Sequence, residues 1–142
     1  MDKHKLIGME FMPFTTDDLH RVLLTLGRNP LPEPYISNWC EESPSYGYCQ
    51  FVSKAIVQYM RHIKPNMYFI PSLHHYFVKS AHGIIDLTCD QFDAGTKIDY
   101  SECVYKFTTF TKRVDFPSNI IAGSLGLYVI SDEHGESQNV AA

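Results

Sequence analysis

The chain has 142 residues, of which 44% are hydrophobic and 20% are charged, a composition that fits one globular domain with its own hydrophobic core and excludes a disordered chain. Its formal net charge is −4 and its 12 Lys and Arg residues are scattered, which argues against nucleic acid as a partner because phosphate binding needs a concentrated basic surface. No apolar run approaches the roughly 18–20 residues that cross a bilayer and no secretory signal is visible, so a cytoplasmic protein without a membrane partner is predicted.

The segment "TTDDLHRVLLTLGRNP" at residues 15–30 predicts the first helix. Thr15 or Thr16 is suited to cap its N-terminus, and the acidic residues that follow are favoured there by the helix dipole. Apolar residues recur at helical spacing, at Leu19, Val22, Leu23 and Leu26. Gly27 and Pro30 end the pattern, so we predict a short amphipathic helix.

Residues 30–47 predict a long loop, because they contain four prolines and several turn-forming residues. Loops of this length in a small domain commonly carry function. A second helix is predicted at residues 48–62, with Pro65 as its stop signal. Cys49 would lie in the first turn of this helix, on the buried side.

Three short runs rich in aromatic and β-branched residues, "NMYFIP", "HHYFVKS" and "GIIDLT", predict strands. The last two predict an antiparallel hairpin with its turn at Ala81 and His82. In that register His75 and Asp86 lie opposite or diagonal to one another, whereas a slip of one residue would separate them.

The segments "CVYKFTTFTKRV" and "GLYVIS" predict further strands, and residues 132–142 are polar and predict a disordered tail. Helices followed by antiparallel strands indicate an α+β fold. We therefore predict a single domain at residues 1–131, with N-terminal helices packed on a small antiparallel β-sheet.

The four cysteines are Cys40, Cys49, Cys89 and Cys103. Free thiols are predicted, because a chain with this much core material and no export signal does not need disulfides. A zinc site is disfavoured, since no C-x-x-C pair is present and the adjacent His74 and His75 would point to opposite sides of a strand. We therefore predict no metal and no cofactor.

Cys49, His75 and Asp86 are the residue types of a nucleophile, a base and an orienting acid. A thiol is a weak nucleophile until it ionises, and both a helix N-terminus and a nearby imidazole favour the ionised form. A carboxylate on the other ring nitrogen would hold the imidazole in place. The backbone N–H of Cys49 is a candidate oxyanion donor, and Gly47 is expected to leave the approach to the thiol open.

Each of these residues also has a purely structural interpretation. Cysteine is among the most buried residue types, so Cys49 could simply fill space on an apolar helix face. Asp86 could cap the turn that follows its strand. Cys40 and Cys89 are weaker candidates for the nucleophile, because Cys40 lies in a loop and Cys89 follows a strand.

Four short motifs connect these residues to a known family. They are W-x-x-E-[ST] at Trp39, Glu42 and Ser43; G-x-C at Gly47 and Cys49; H-Y-[WF] at His75, Tyr76 and Phe77; and D-L-T-x-x-Q-F at Asp86, Leu87, Thr88, Gln91 and Phe92. In these motifs, over roughly residues 35–93, the chain resembles the YunG-like family of small bacterial and phage proteins.

The order Cys, His, Asp on helix, strand and strand is also similar to the core of papain-like and transglutaminase-like cysteine enzymes, including the NlpC/P60 peptidases. The resemblance implies a papain-like core with Cys49, His75 and Asp86 as catalytic residues. The residues expected to bind substrate are Trp39, Gly47, Tyr48, His74 and Gln91. His74 also stays open as an alternative to His75 for the base.

The sequence therefore predicts a cysteine hydrolase or acyltransferase that acts on an amide or isopeptide bond, or on an ester or thioester, of a peptide or protein. The alternative is a non-catalytic binding module on the same scaffold, such as a phage-encoded inhibitor of a host protein.

Overall fold

A computed structural model describes residues 6–108 and 116–127, in which three helices precede an antiparallel sheet and a fourth follows it. The α-helices are α1 (Thr16–Leu26), α2 (Tyr35–Asn38), α3 (Cys49–Tyr59) and α4 (Phe116–Ser124). The strands are β1 (Asn66–Ile70), β2 (His75–Ser80), β3 (Gly83–Ile85) and β4 (Val104–Tyr105). Their order in the sheet is β3-β2-β1-β4, and every neighbouring pair is antiparallel. This confirms the predicted α+β class.

Helix α1 begins and ends where the sequence predicts. Thr15 is its N-cap: the Thr15 hydroxyl accepts the backbone N–H of Asp18, and the Asp18 carboxylate accepts the backbone N–H of Thr15, both at 3.0 Å. This reciprocal pair satisfies two of the donors that a helix start leaves unpaired. Leu19 and Leu23 are fully buried, so α1 packs its apolar stripe into the core.

Helix α3 turns one apolar face towards the sheet and towards α4. Its buried residues are Cys49, Val52, Ser53, Ala55 and Ile56. Helix α4 is fixed against α3 by two hydrogen bonds, from the Ser118 hydroxyl to the Phe51 carbonyl (2.9 Å) and from the Tyr59 hydroxyl to Asn119 Oδ1 (2.7 Å). These contacts hold α4 against α3.

The β2–β3 hairpin has the predicted register. The pairs are Ser80 with Gly83, Lys79 with Ile84 and Val78 with Ile85. Ala81 and His82 therefore form a two-residue turn. Continuing the register by one pair puts Asp86 opposite Phe77, and hence diagonal to His75 on the same face of the sheet.

Several elements differ from the sequence prediction. The loop at residues 30–47 contains the short helix α2, and α3 ends at Tyr59, followed by a 3-10 helix at Arg61–Ile63. Helix α4 was not predicted, because its residues are apolar without a clear helical stripe. The predicted strand at "CVYKFTTFTKRV" is reduced to β4 in the part that is described.

Other predictions about the chain fall wholly or partly beyond the described residues. The tail at residues 132–142 lies outside them, and so does most of "GLYVIS". Across residues 6–108 and 116–127, none of the helices combines the length and apolar character required to cross a membrane.

Candidate active site

Cys49 is the first residue of α3. The first N–H groups of a helix have no acceptor within the helix, and the helix dipole makes this end favourable for a negative charge. The residue is largely buried, with 7% of its surface exposed. Its position therefore offers a backbone N–H to a carbonyl oxygen bound beside it.

Gly47 shapes the approach to α3, although for a different reason from the predicted one. Its φ is +82°, in the region that favours glycine, and an added Cβ would lie 2.9 Å from Cβ of Tyr35. The space beside Gly47 is thus filled by Tyr35 of α2. Glycine is needed because α2 packs directly on the chain that enters α3.

His75 is the first residue of β2 and is fully buried. Its Nε2 lies 2.8 Å from Oδ2 and 3.0 Å from Oδ1 of Asp86. The side chain and charge of Cys49 also act on the ring. Because the carboxylate occupies Nε2, Nδ1 is the ring nitrogen that is left for the thiol. The edge-to-face ring of Phe92, with centroids 4.9 Å apart, closes another side of the imidazole.

Asp86 is enclosed by protein, with 1% of its surface exposed. Besides His75, its Oδ2 accepts a hydrogen bond from the Tyr100 hydroxyl at 2.7 Å. Its backbone N–H donates to the Ile7 carbonyl at 2.9 Å, so the N-terminal segment fixes the main chain just beyond β3. The carboxylate is therefore held at both its side chain and its backbone.

The surroundings of His75 favour its charged form. Burial by itself lowers the pKa of His75, but hydrogen bonds to Asp86 and Cys49, together with the charges of both, raise it to about 9. The ring is therefore protonated at neutral pH, between two groups that are negative when ionised. A buried titratable group shifted in this way, in contact with a potential nucleophile, is typical of a functional site.

Gln91 connects the chain before α3 to the imidazole. Its Oε1 accepts the backbone N–H of Gly47 at 3.3 Å, which turns the amide nitrogen the other way. That nitrogen donates to the Thr88 carbonyl at 3.1 Å and lies 3.5 Å from Nδ1 of His75. An amide nitrogen carries two hydrogens: one is directed at the Thr88 carbonyl, and the second lies between the Thr88 hydroxyl, at 3.4 Å, and Nδ1 of His75.

Two tyrosines near the thiol were not predicted as site residues. Burial, and then the negative charge of Cys49, raise the pKa of both Tyr35 and Tyr76. Their hydroxyls stay protonated as hydrogen-bond donors, and each phenol is partly exposed. The sequence signal was present, since Tyr76 belongs to the H-Y-[WF] motif and Tyr35 to the aromatic loop, but spacing along the chain does not show that the two flank one cysteine.

The structure corrects the roles predicted for Trp39 and Tyr48. Trp39 is 6% exposed and its indole N–H donates to the Pro44 carbonyl at 3.1 Å, so its ring packs in the core. Tyr48 is fully buried and its hydroxyl donates to the Gly27 carbonyl. These side chains anchor the loop and the start of α3 from inside, which leaves Tyr48 with no surface for a substrate.

The choice between the two neighbouring histidines follows from the backbone. His74 has a φ of +52° at the end of a 3-10 helix, is exposed, and packs its ring edge-on against Phe69 at a centroid distance of 5.6 Å. His75 is the histidine that hydrogen-bonds Asp86 and interacts with Cys49. Of the two, His75 is therefore the candidate base.

All four cysteines are free thiols, as predicted. Cys40 is exposed and Cys89 is buried. Burial, and then the charge of Asp86, raise the pKa of Cys89 to about 12, which keeps that thiol protonated. Among the described residues, no group of three or more His, Cys, Asp or Glu side chains is arranged to hold a metal ion.

A scan of protein-family models, a search of curated proteins and a search of solved structures each returned no match to this chain. The resemblance to YunG-like proteins therefore stays a prediction. The function proposed below depends on the geometry of the site and on the chemistry of its residues.

Proposed function

We propose that the protein is a cysteine hydrolase or acyltransferase that uses Cys49, His75 and Asp86 as its catalytic triad. The observation that carries the proposal is the buried hydrogen bond between His75 and Asp86, together with a thiol at a helix N-terminus that interacts with the same imidazole. Each member occupies the position that its role requires: the nucleophile beside Nδ1 and the acid on Nε2.

The proposed first half-reaction forms a thioester. The Cys49 thiolate attacks the carbonyl carbon of an amide, ester or thioester, a C–S bond forms and the carbonyl electron pair moves onto oxygen. When the intermediate collapses, the bond to the leaving group breaks and His75 Nδ1–H gives its proton to the leaving nitrogen, or to the oxygen or sulfur in its place. Asp86 stays ionised on Nε2 throughout and keeps the ring aligned.

The second half-reaction releases the acyl group. Water, or an amine in an acyl transfer, attacks the thioester while Nδ1 of His75 takes its proton. Expulsion of the Cys49 thiolate then gives the acid or the new amide and restores the ion pair. We assign the oxyanion of both intermediates to the backbone N–H of Cys49 and to the second N–H of Gln91, which lies beside Nδ1.

The geometry favours this proposal over a cysteine that only fills space. A structural Cys needs no polar partner, whereas burying an imidazole and a carboxylate is costly unless they pair. Here His75 and Asp86 are almost fully buried, and the side of the ring away from the carboxylate is directed at the one thiol that begins a helix. Packing alone does not account for that placement.

A papain-like core and a cytoplasmic peptide or protein substrate belong to the same proposal. Cys49 begins α3, which packs on the antiparallel sheet. His75 then follows on β2, and Asp86 lies just beyond the neighbouring strand β3. Partly exposed phenols of Tyr35 and Tyr76 near the thiol suit a substrate chain with polar backbone groups.

The test is alkylation of the four thiols with iodoacetamide at about pH 6, followed by mass spectrometry at each site. We expect Cys49 to react at least about tenfold faster than Cys40, because a thiol without a partner is almost wholly protonated at that pH. Cys40 is the matched internal control, since it is exposed and free.

The variant His75→Gln removes the imidazole and is expected to bring the rate at Cys49 down to that of Cys40 or below. Equal rates at Cys49 and Cys40 in the unmodified protein, unchanged by His75→Gln, would contradict the proposal. That outcome is the one expected of a non-catalytic binding module built on the same scaffold.

A further inference from the structure

We propose that Tyr100 is a positioning residue that holds the Asp86 carboxylate turned towards His75. This inference rests on the proposed function, since it assigns a fourth member to the same hydrogen-bond chain. Tyr100 lies between the 3-10 helix at Cys89–Gln91 and β4, well away in sequence from the motifs that pointed to the triad.

Tyr100 and His75 both donate hydrogen bonds to the same oxygen of Asp86, and both bonds are short. Oδ2 of Asp86 accepts from the Tyr100 hydroxyl at 2.7 Å and from Nε2 of His75 at 2.8 Å. An ionised carboxylate only accepts hydrogen bonds, so both donors stabilise the same charged form. Without the phenol, the imidazole would be the sole side-chain donor that the structure gives to this carboxylate.

The position of Tyr100 is fixed by packing. Its ring meets Phe77 edge-to-face, with centroids 4.9 Å apart and planes at 68°, and Phe77 is fully buried two residues along β2 from His75. Burial and the nearby Asp86 charge raise the pKa of Tyr100, so its hydroxyl remains a donor over the whole working range of pH. The phenol therefore has one orientation and one hydrogen-bond role.

The groups that face Asp86 set what removal of the hydroxyl should do. They are His75 from β2, Tyr100 from the segment before β4, and the neutral thiol of Cys89 from the 3-10 helix. Loss of one of two donors makes a buried carboxylate easier to protonate, and a neutral acid no longer supports the imidazolium that pairs with Cys49. The effect should therefore grow as the pH falls.

The experiment measures the rate of iodoacetamide alkylation at Cys49 between about pH 5 and pH 8 in the full chain and in Tyr100→Phe, which keeps the ring on Phe77. We expect the rate ratio of the two proteins to rise from about threefold at pH 7 to about tenfold at pH 5. The matched control is Tyr59→Phe, which loses a hydroxyl bond of the same 2.7 Å length, to Asn119, away from the triad.

A ratio that does not change with pH, or that equals the ratio for Tyr59→Phe, would overturn the proposal and leave Tyr100 as a packing residue. A double-mutant cycle that combines Tyr100→Phe with Asp86→Asn provides the second test. If Tyr100 acts through Asp86, Tyr100→Phe should have no further effect in the Asp86→Asn background; additive losses would contradict it.

The ring resonances of His75 separate this inference from the proposed function. If Cys49 fails to react in every protein, the ring titration of His75 still reports on the carboxylate, because the pair of His75 and Asp86 does not depend on the thiol's reactivity. The positioning role would be supported even then if the low-pH part of the His75 titration curve moved to higher pH in Tyr100→Phe. If that part of the curve did not move, the proposal would be overturned.

Discussion

The proton on His75 is the residue-scale property on which the proposed chemistry depends. Burying an isolated imidazolium costs several kcal/mol, so burial alone would leave the ring neutral. A hydrogen bond to a charged group is worth about 1.5–3 kcal/mol, and Nε2 of His75 has such a bond to the Asp86 carboxylate, while Cys49 also acts on the ring. Pairing therefore outweighs burial, and the ring can deliver a proton to a leaving group without first collecting one.

The expected consequence is a histidine that titrates far above its ordinary range. In an NMR titration of the seven histidines, one ring should titrate near pH 9, and this signal should be the one missing in His75→Gln. Asp86→Asn removes the charge that holds the proton and should lower the midpoint by at least about one unit. A His75 midpoint at or below 6.5 in the unmodified protein would rule out the ion pair.

The same proton links the site to stability. Because the pKa of His75 is raised from 6.5 to about 9 on folding, the folded protein holds an extra proton between these values. The stabilisation is complete below about pH 6.5 and is lost as the pH rises to about 9. Urea unfolding should show a decrease of about 3 kcal/mol across this window, and the decrease should be much smaller in Asp86→Asn.

At the scale of elements, the site depends on how closely α2 packs on the start of α3. Gly47 lets the chain pass under Tyr35 and turn into the helix, and Gln91 accepts its backbone N–H. The same few atoms thus set the start of α3, the placement of one phenol and the orientation of the Gln91 amide. A change at Gly47 should therefore affect both folding and reactivity.

The variant Gly47→Ala tests this packing. The new methyl group would lie 2.9 Å from Cβ of Tyr35 at a φ of +82°, so both a clash and backbone strain are expected. We expect a loss of about 2–4 kcal/mol in the free energy of unfolding, measured by urea denaturation, together with slower alkylation of Cys49.

Gly126→Ala is the matched control, because Gly126 has a φ of +74° and nothing within 4 Å of an added Cβ. It should lose only the strain contribution, about 1 kcal/mol, and leave alkylation unchanged. Equal losses in the two variants would mean that the contact between α2 and α3 has no special role.

At the scale of the whole molecule, the site is assembled from segments far apart in the chain. The thiol comes from the start of α3, the imidazole from β2, the carboxylate from the end of β3 and the phenol from the segment before β4. Ile7, near the N-terminus, bonds the backbone of Asp86. The triad therefore requires the complete fold, and local unfolding of any one segment should abolish reactivity.

The part of this arrangement that local patterns encode could be predicted. Short-range rules predict the cap at Thr15, the helix with Cys49 in its first turn and the two-residue turn at Ala81 and His82. That turn sets the strand register, which places Asp86 diagonal to His75.

What depends on tertiary packing could not be predicted. Tyr100 carries no motif, and its contact with Asp86 exists only once the chain has passed beyond the 3-10 helix and returned to the sheet. Trp39 and Tyr48 were expected to bind substrate from the family resemblance, but here they fill the core. Helix α4 lacked a polar face that would have marked it.

The most direct test of the central claim is whether Cys49 forms and releases an acyl group. The full chain is exposed briefly to an activated ester such as p-nitrophenyl acetate, and the modified residues are located by mass spectrometry over time. We expect an acetyl group on Cys49 that appears first and then disappears as water releases it, with neither step in Cys49→Ala or His75→Gln. Acetylation of Cys49 no faster than that of the exposed Cys40, or an unchanged rate in His75→Gln, would contradict the claim that the triad is catalytic.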